Sequence, residues 1–297
     1  MSVWLGQLAA LSAAFCWALA TLLYSKSSLH LSAAQLNLVK GSVATPLLLL
    51  GLWLSTDMQA LSWTTWPLIL LVLSGVIGIT IGDTCYFSAL RRLGPAHTIL
   101  LEYLAPPLAA LIAWLVLSET LTWVQVVAGI VVILGVLSVL TERQPVAGVP
   151  LSRSGLWFGV TAALCQALGL VMAFQAFQQF DINAMQAAMI RLGAGTLVLT
   201  CALLIMRPKI LGETKQALGQ TRISVLLVAI GLGTFVAIWL QQLAISVVSP
   251  GIAQTLLSTA PLFMLSLQIM RGKRVSFRAL LGTLFAMFGI MGLFVFA

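Results

Sequence analysis

Apolar residues fall into ten runs along this chain, at about 4–24, 33–54, 66–89, 95–117, 122–140, 155–178, 183–206, 222–244, 250–270 and 277–296. Polar and turn residues collect between the runs. Within a run the apolar positions do not alternate with polar ones, so the period-two pattern of a transmembrane β-barrel is absent. Each run is about twenty residues long, the length an α-helix needs to cross the hydrocarbon of a bilayer. The pattern predicts an all-α polytopic membrane protein with ten transmembrane helices. Most connections are shorter than ten residues. The longest are 141–154, which holds Pro145 and Pro150, and 207–221. Neither leaves room for a separate extramembrane domain.

Composition agrees. The 297 residues are 61% hydrophobic and 7% charged, against about 25% charged in a soluble domain, and too little polar surface remains to cover a water-soluble fold. No cleavable leader is expected. Ala18-Leu19-Ala20 mimics a cleavage site, but Lys26 lies beyond it and no basic stretch precedes it. The four cysteines, Cys16, Cys85, Cys165 and Cys201, sit in apolar runs without CxxC spacing, and His30 and His97 do not complete a metal site with them. No metal and no cofactor are expected.

The second half repeats the first. Ala13-Ala14-Phe15-Cys16-Trp17-Ala18-Leu19 returns 149 residues later as Ala162-Ala163-Leu164-Cys165-Gln166-Ala167-Leu168. Gly94-Pro95-Ala96 returns 155 residues later as Ser249-Pro250-Gly251, and at that offset Gly78 meets Gly233 and Ala105-Pro106 meets Ala260-Pro261. Lys40 in the second run meets Arg191 in the seventh. The expected organisation is a first five-helix repeat at 1–144, a short linker at 145–151 and a second repeat at 152–297. Because five is odd, the second copy enters the membrane from the opposite face, giving inverted repeats around a central cavity.

Charge sets the expected orientation. The net charge is +8, yet no Lys/Arg run and no soluble groove exist to hold nucleic acid. Of the fifteen Lys and Arg, thirteen flank the loops after helices 1, 3, 5, 7 and 9: Lys26, Arg91, Arg92, Arg143, Arg153, Arg207, Lys209, Lys215, Arg222, Arg271, Lys273, Arg274 and Arg278. The opposite loops carry Asp57, Glu119 and Asp181. By the positive-inside rule the odd loops are cytoplasmic and both termini external, in a bacterial-type inner membrane.

Three stretches then carry a family likeness. Gly82-Asp83-Thr84-Cys85-Tyr86-Phe87-Ser88-Ala89-Leu90-Arg91-Arg92-Leu93-Gly94-Pro95-Ala96 ends the third helix, Leu104-Ala105-Pro106-Pro107-Leu108 lies in the fourth, and Leu117-Ser118-Glu119-Thr120-Leu121 leads to the fifth, with Gly129 and Gly135 along it. The whole chain resembles the EamA family of the drug/metabolite transporter superfamily. Its second half is a looser match, with Gly282 and Gly289 but Arg274 where the first half has Glu119. The resemblance implies a ten-helix carrier, commonly an exporter of amino acids or related metabolites, with a small-molecule substrate in a cavity between the halves. Multidrug or nucleoside efflux is the alternative.

Four charges lie inside helices: Lys40, Asp83, Glu102 and Arg191. A charge at membrane depth costs about 2.5–3.5 kcal/mol on insertion scales, so such groups pair, face the interior or line water. Asp83 and Glu102 lie about 10–12 Å from the Arg91-Arg92 face by helical rise, on consecutive helices of one hairpin. Two acids so close repel when both are ionised, which suits proton coupling. The alternative is a structural ion pair with Lys40. Lys40 and Arg191 could also receive a substrate carboxylate. Trp17, Tyr86, Gln166, Trp239, Gln241, Gln242 and Gln254 supply the rings and amides of a binding cavity. Pro106 and Pro261 fall mid-helix, where each removes a backbone hydrogen bond and forms a kink or hinge. Trp4, Trp63 and Trp66 belong to the interfacial belt.

An intramembrane enzyme or a channel subunit is the rival class. HExxH, GxSxG and Walker loops are missing from the sequence, so the expectation is a secondary carrier and not an enzyme.

Overall fold

The computed structural model describes residues 3–27, 29–55, 65–117, 122–141, 152–179, 182–247, 256–273 and 275–295. Among them every regular element is helical. Gln254, Trp63, Asp57, Glu119, Asp181, Arg143, Arg274, Ser249-Pro250-Gly251 and the 145–151 linker lie outside the described residues.

The first half comprises α1 (Val3–Ser27), α2 (Ala33–Ser55), α3 (Thr65–Gly75), a π-helical segment (Val76–Asp83), α4 (Thr84–Leu101), a 3-10 turn (Glu102–Leu104), α5 (Ala105–Leu117) and α6 (Trp123–Leu140). The second comprises α7 (Arg153–Gln179), α8 (Ala184–Met206), α9 (Ile210–Gly219), α10 (Ile223–Ile230), a second π-helical segment (Gly231–Val236), α11 (Ala237–Val247), α12 (Ala260–Met270) and α13 (Phe277–Val295). Seven described stretches are long and apolar enough to cross a membrane. One of them, Thr65–Ile112, is 48 residues long, which as a straight helix would measure about 72 Å, more than two bilayer cores. It is broken at Gly94, whose φ of 73° only glycine adopts freely, with Pro95 opening the next helical turn.

Hydropathy alone predicts loops at 90–94 and 207–221. The first shrinks to the single non-helical residue Gly94 within α4. The second contains α9, an amphipathic helix that buries Ile210 and Thr214 and lays Ala217 and Leu218 against the core. Its apolar residues are too few for a hydropathy run, but Ile210, Thr214 and Leu218 recur every four residues, which is enough to seat one face.

The π segments occupy equivalent places, since Val76 and Gly231 are 155 residues apart. A π turn displaces carbonyls from the i→i−4 ladder, and in a bundle without water those carbonyls need other donors. Asn37 Nδ2 donates to Ile79 O at 2.8 Å in the first segment, and Trp17 Nε1 donates to Gly233 O at 3.1 Å in the second.

Small residues let the halves approach. A methyl at Gly135 on α6 would stand 2.6 Å from the backbone nitrogen of Ala286 on α13, and one at Gly289 would stand 2.8 Å from the carbonyl of Ala128 on α6. The methyl at Gly289 would also stand 2.8 Å from the backbone nitrogen of Val132, and the contacts are therefore reciprocal, because Gly135 and Gly289 are 154 apart, as are Val132 and Ala286. Contacts at 128/289 and 135/282 also make α6 and α13 antiparallel. The helices α2 and α8 meet in the same way, with Gly41 against Thr196 and Gly193 against Thr45. Outward-facing positions stay apolar, and Trp4, Trp66, Trp123 and Trp157 are exposed.

Candidate functional site

Where α1, α2, both π segments and α8 converge, the bundle leaves a cavity of about 160 Å³. Its lining comes in repeat-related pairs: Trp17 with Gln166, Lys40 with Arg191, Ile79 with Thr234, Asp83 with Ile238, Tyr86 with Gln241, Glu102 with Leu257, Tyr103 with Ser258 and Ala105 with Ala260. The cavity therefore sits on the relation between the halves. Asp83 and Glu102 both reach it although they are 19 residues apart, about 28 Å along a straight helix. The reversal at Gly94 brings them together.

Lys40 bonds the Asp83 carboxylate, the one ion pair among the described residues, and its ammonium lies 5.5 Å from the centre of the Phe87 ring. Asp83 ends the first π segment, and Lys40 is buried on α2. Asp83 thus has the ion pair with Lys40 that the second reading of the acids expects. Glu102 follows on the 3-10 turn and has no ion pair among the described residues. Arg191 is buried on α8, and its Nε has no hydrogen-bond partner among them. The Tyr103 hydroxyl is likewise buried without one.

Hydroxyls tie the wall together. Tyr86 Oη and Thr21 Oγ1 are 2.6 Å apart, and Tyr24 Oη and Thr234 Oγ1 are 2.9 Å apart. The rings of Tyr24 and Tyr86 both pack edge-on against Phe87, at 5.1 and 5.8 Å. These contacts fix a rigid, partly aromatic wall at low entropy cost to a bound solute.

The structure gathers Trp17, Lys40, Tyr86, Asp83, Glu102, Gln166, Arg191 and Gln241 at the cavity. Trp239 and Gln242 do not line it: Trp239 is half-exposed, and Gln242 is fully buried with both amide atoms unpartnered among the described residues. Trp239 lies two residues from Gln241, about 200° around the helix, so both cannot face one cavity. Pro106 is in the first turn of α5, directly after the 3-10 turn, and Pro261 is in the first turn of α12 and lines the cavity. Both prolines thus open a restarted helix, where the missing N–H leaves no gap in the ladder. Sequence reasoning passed over Thr21, Tyr24, Tyr103, Thr234 and Ser258. Thr21 and Tyr24 follow Trp17 at i+4 and i+7, a helix-face signal that was there to find.

The profile of the EamA-like transporter family matches residues 4–141 and again 153–295. None of the curated proteins matches. A solved structure, described as a crystal structure of a protein, shares the fold with a TM-score of 0.66 at 17% identity, over 98% of this chain and 96% of that one.

Proposed function

The chain belongs to the EamA-like transporter family, as a multi-pass membrane protein of the duplicated type, and on that footing we propose that it is a secondary carrier exporting amino acids or related small metabolites by alternating access. The observation that carries this reading is the partly open cavity, mostly apolar with four charged side chains, that is lined by repeat-related pairs of residues.

Inverted five-helix repeats are part of the proposal, with ten spans in an inner membrane and the basic odd loops in the cytoplasm. The α6–α13 and α2–α8 contacts support the inversion. Equivalent helices that pack antiparallel through reciprocal contacts are related by a two-fold axis perpendicular to the helices, and such an axis lies in the membrane plane. A cavity on that axis opens to either side by equivalent motions of the two halves. A volume of about 160 Å³ is near that of an engineered cavity that binds benzene, which favours amino-acid-sized solutes over drugs or nucleosides.

Proton coupling, in this reading, falls to Glu102, because Lys40 already neutralises Asp83. The test is counterflow in proteoliposomes. Protein loaded with unlabelled amino acid should accumulate the labelled form with saturable kinetics, and an imposed pH gradient should drive net flux. Glu102→Gln should retain counterflow and lose the response to the gradient. Non-saturable flux would point to a channel, and an unchanged gradient response in Glu102→Gln removes the coupling assignment.

A further inference from the structure

The two cations at equivalent places in the repeats are not treated alike. Lys40 on α2 has a counter-ion in Asp83. Arg191, 151 residues later on α8, is 4% exposed, has no carboxylate partner among the described residues, and keeps a buried Nε–H without an acceptor there. The repeat explains the difference. At the 155-residue offset the position of Asp83 is occupied by Ile238, which lines the same cavity as Arg191. The second half thus keeps the cation of the pair and puts an aliphatic side chain where the anion belongs. Neither acid of the first half makes an ion pair with Arg191 among the described residues: Asp83, whose charge acts on Arg191 from a distance, bonds Lys40, and Glu102 reaches the cavity without an ion pair there. The Nη2 of Arg191 lies beside the backbones of Gly78 and Gly169, with no side chain from either to screen it.

A desolvated guanidinium without a counter-ion is strongly disfavoured, and its planar fork matches a carboxylate in two parallel hydrogen bonds. We propose that the carboxylate missing at Ile238 is supplied by the solute, so that Arg191 is the anion receptor of the cavity and the transported compound bears a single carboxylate. With Lys40 paired to Asp83, Arg191 offers one guanidinium fork, which matches a single carboxylate. The inference rests on the carrier reading of the cavity, but it concerns recognition and not movement.

The test is thermal unfolding of the purified full chain in detergent, with free amino acids and simple carboxylates from alanine to tryptophan in size, each beside its carboxamide. A ligand that binds only the folded state raises the midpoint. At least one acid should stabilise the protein while its amide does not. Arg191→Gln should weaken that acid by about tenfold or more and abolish the distinction between acid and amide, whereas Arg191→Lys should retain part of it. Ile238→Asp is the decisive variant, because it restores the counter-ion within the chain. It should leave the protein folded, raise its melting temperature and exclude the acid. Equal stabilisation by acids and amides overturns the proposal, as does wild-type binding of the acid by Ile238→Asp or no binding across the panel. Selective binding without counterflow of the same acid defeats the carrier reading and leaves the receptor standing. Counterflow with no preference for acid over amide does the reverse.

Discussion

Lys40 and Asp83 come from different elements and pair at the cavity wall, Lys40 buried and Asp83 partly exposed. Removing one member of a buried pair strands the other, at about 3–5 kcal/mol, whereas replacing both with apolar groups of similar volume is near neutral. Asp83→Asn should therefore lower the melting temperature in detergent more than the double change Lys40→Met with Asp83→Leu. A double variant as unstable as the single one would show that the pair positions the π segment and does more than cancel charge. The four in-helix charges were visible in the sequence as interruptions of apolar runs, and the repeat offsets matched Lys40 to Arg191 and Asp83 to Ile238. Which acid Lys40 would choose was not visible. Counting helical rise gives a residue's depth in the membrane, while its direction around the helix depends on packing. Trp239 and Gln242 lie off the cavity for the same reason: membership of the right helix says nothing about the right face.

At the scale of elements, apolar runs located nearly every described helix, because hydrocarbon thickness fixes their length. They did not reveal the π segments at Val76–Asp83 and Gly231–Val236. Hydropathy does not sense the hydrogen-bond register of a backbone, and only the glycines at 75, 78, 82, 231 and 233 hinted at unusual local geometry. The amphipathic α9 escaped for the opposite reason, since its seating depends on four-residue spacing and not on total apolarity. The glycine contacts of α6 and α13 make a specific expectation. Gly135→Leu places a side chain into the backbone of Ala286 and should destabilise by about 1–3 kcal/mol or more. A methyl at Gly212 in α9 would meet nothing within 4 Å, so Gly212→Ala should stabilise by about 0.5–1 kcal/mol through helix propensity alone. Thermal melts of the two variants should move in opposite directions. If Gly135→Leu melts like the parent, the close approach of α6 and α13 is not a feature of the protein in solution.

For the whole molecule, duplication was legible in full because repeat offsets survive even where chemistry diverges, as Asp83 and Ile238 do. The proposed inversion of the halves predicts that a cysteine at Arg92, on a background lacking the native cysteines, is labelled from the cytoplasmic side, and one at Ser246 from the other. Both positions are exposed, so a membrane-impermeant maleimide on intact cells and on everted vesicles makes the comparison. Labelling of both from one side would mean that the halves share an orientation, and the equivalent motions would lose their axis. The buried guanidinium of Arg191 bears on tempo as well as on recognition. In the proposed carrier, the empty protein would take that charge through its cycle without an ion-paired carboxylate, while the loaded one would take it as a neutral couple. The unloaded return is then the slow leg, and a bundle built this way swaps one solute for another faster than it drains a compartment.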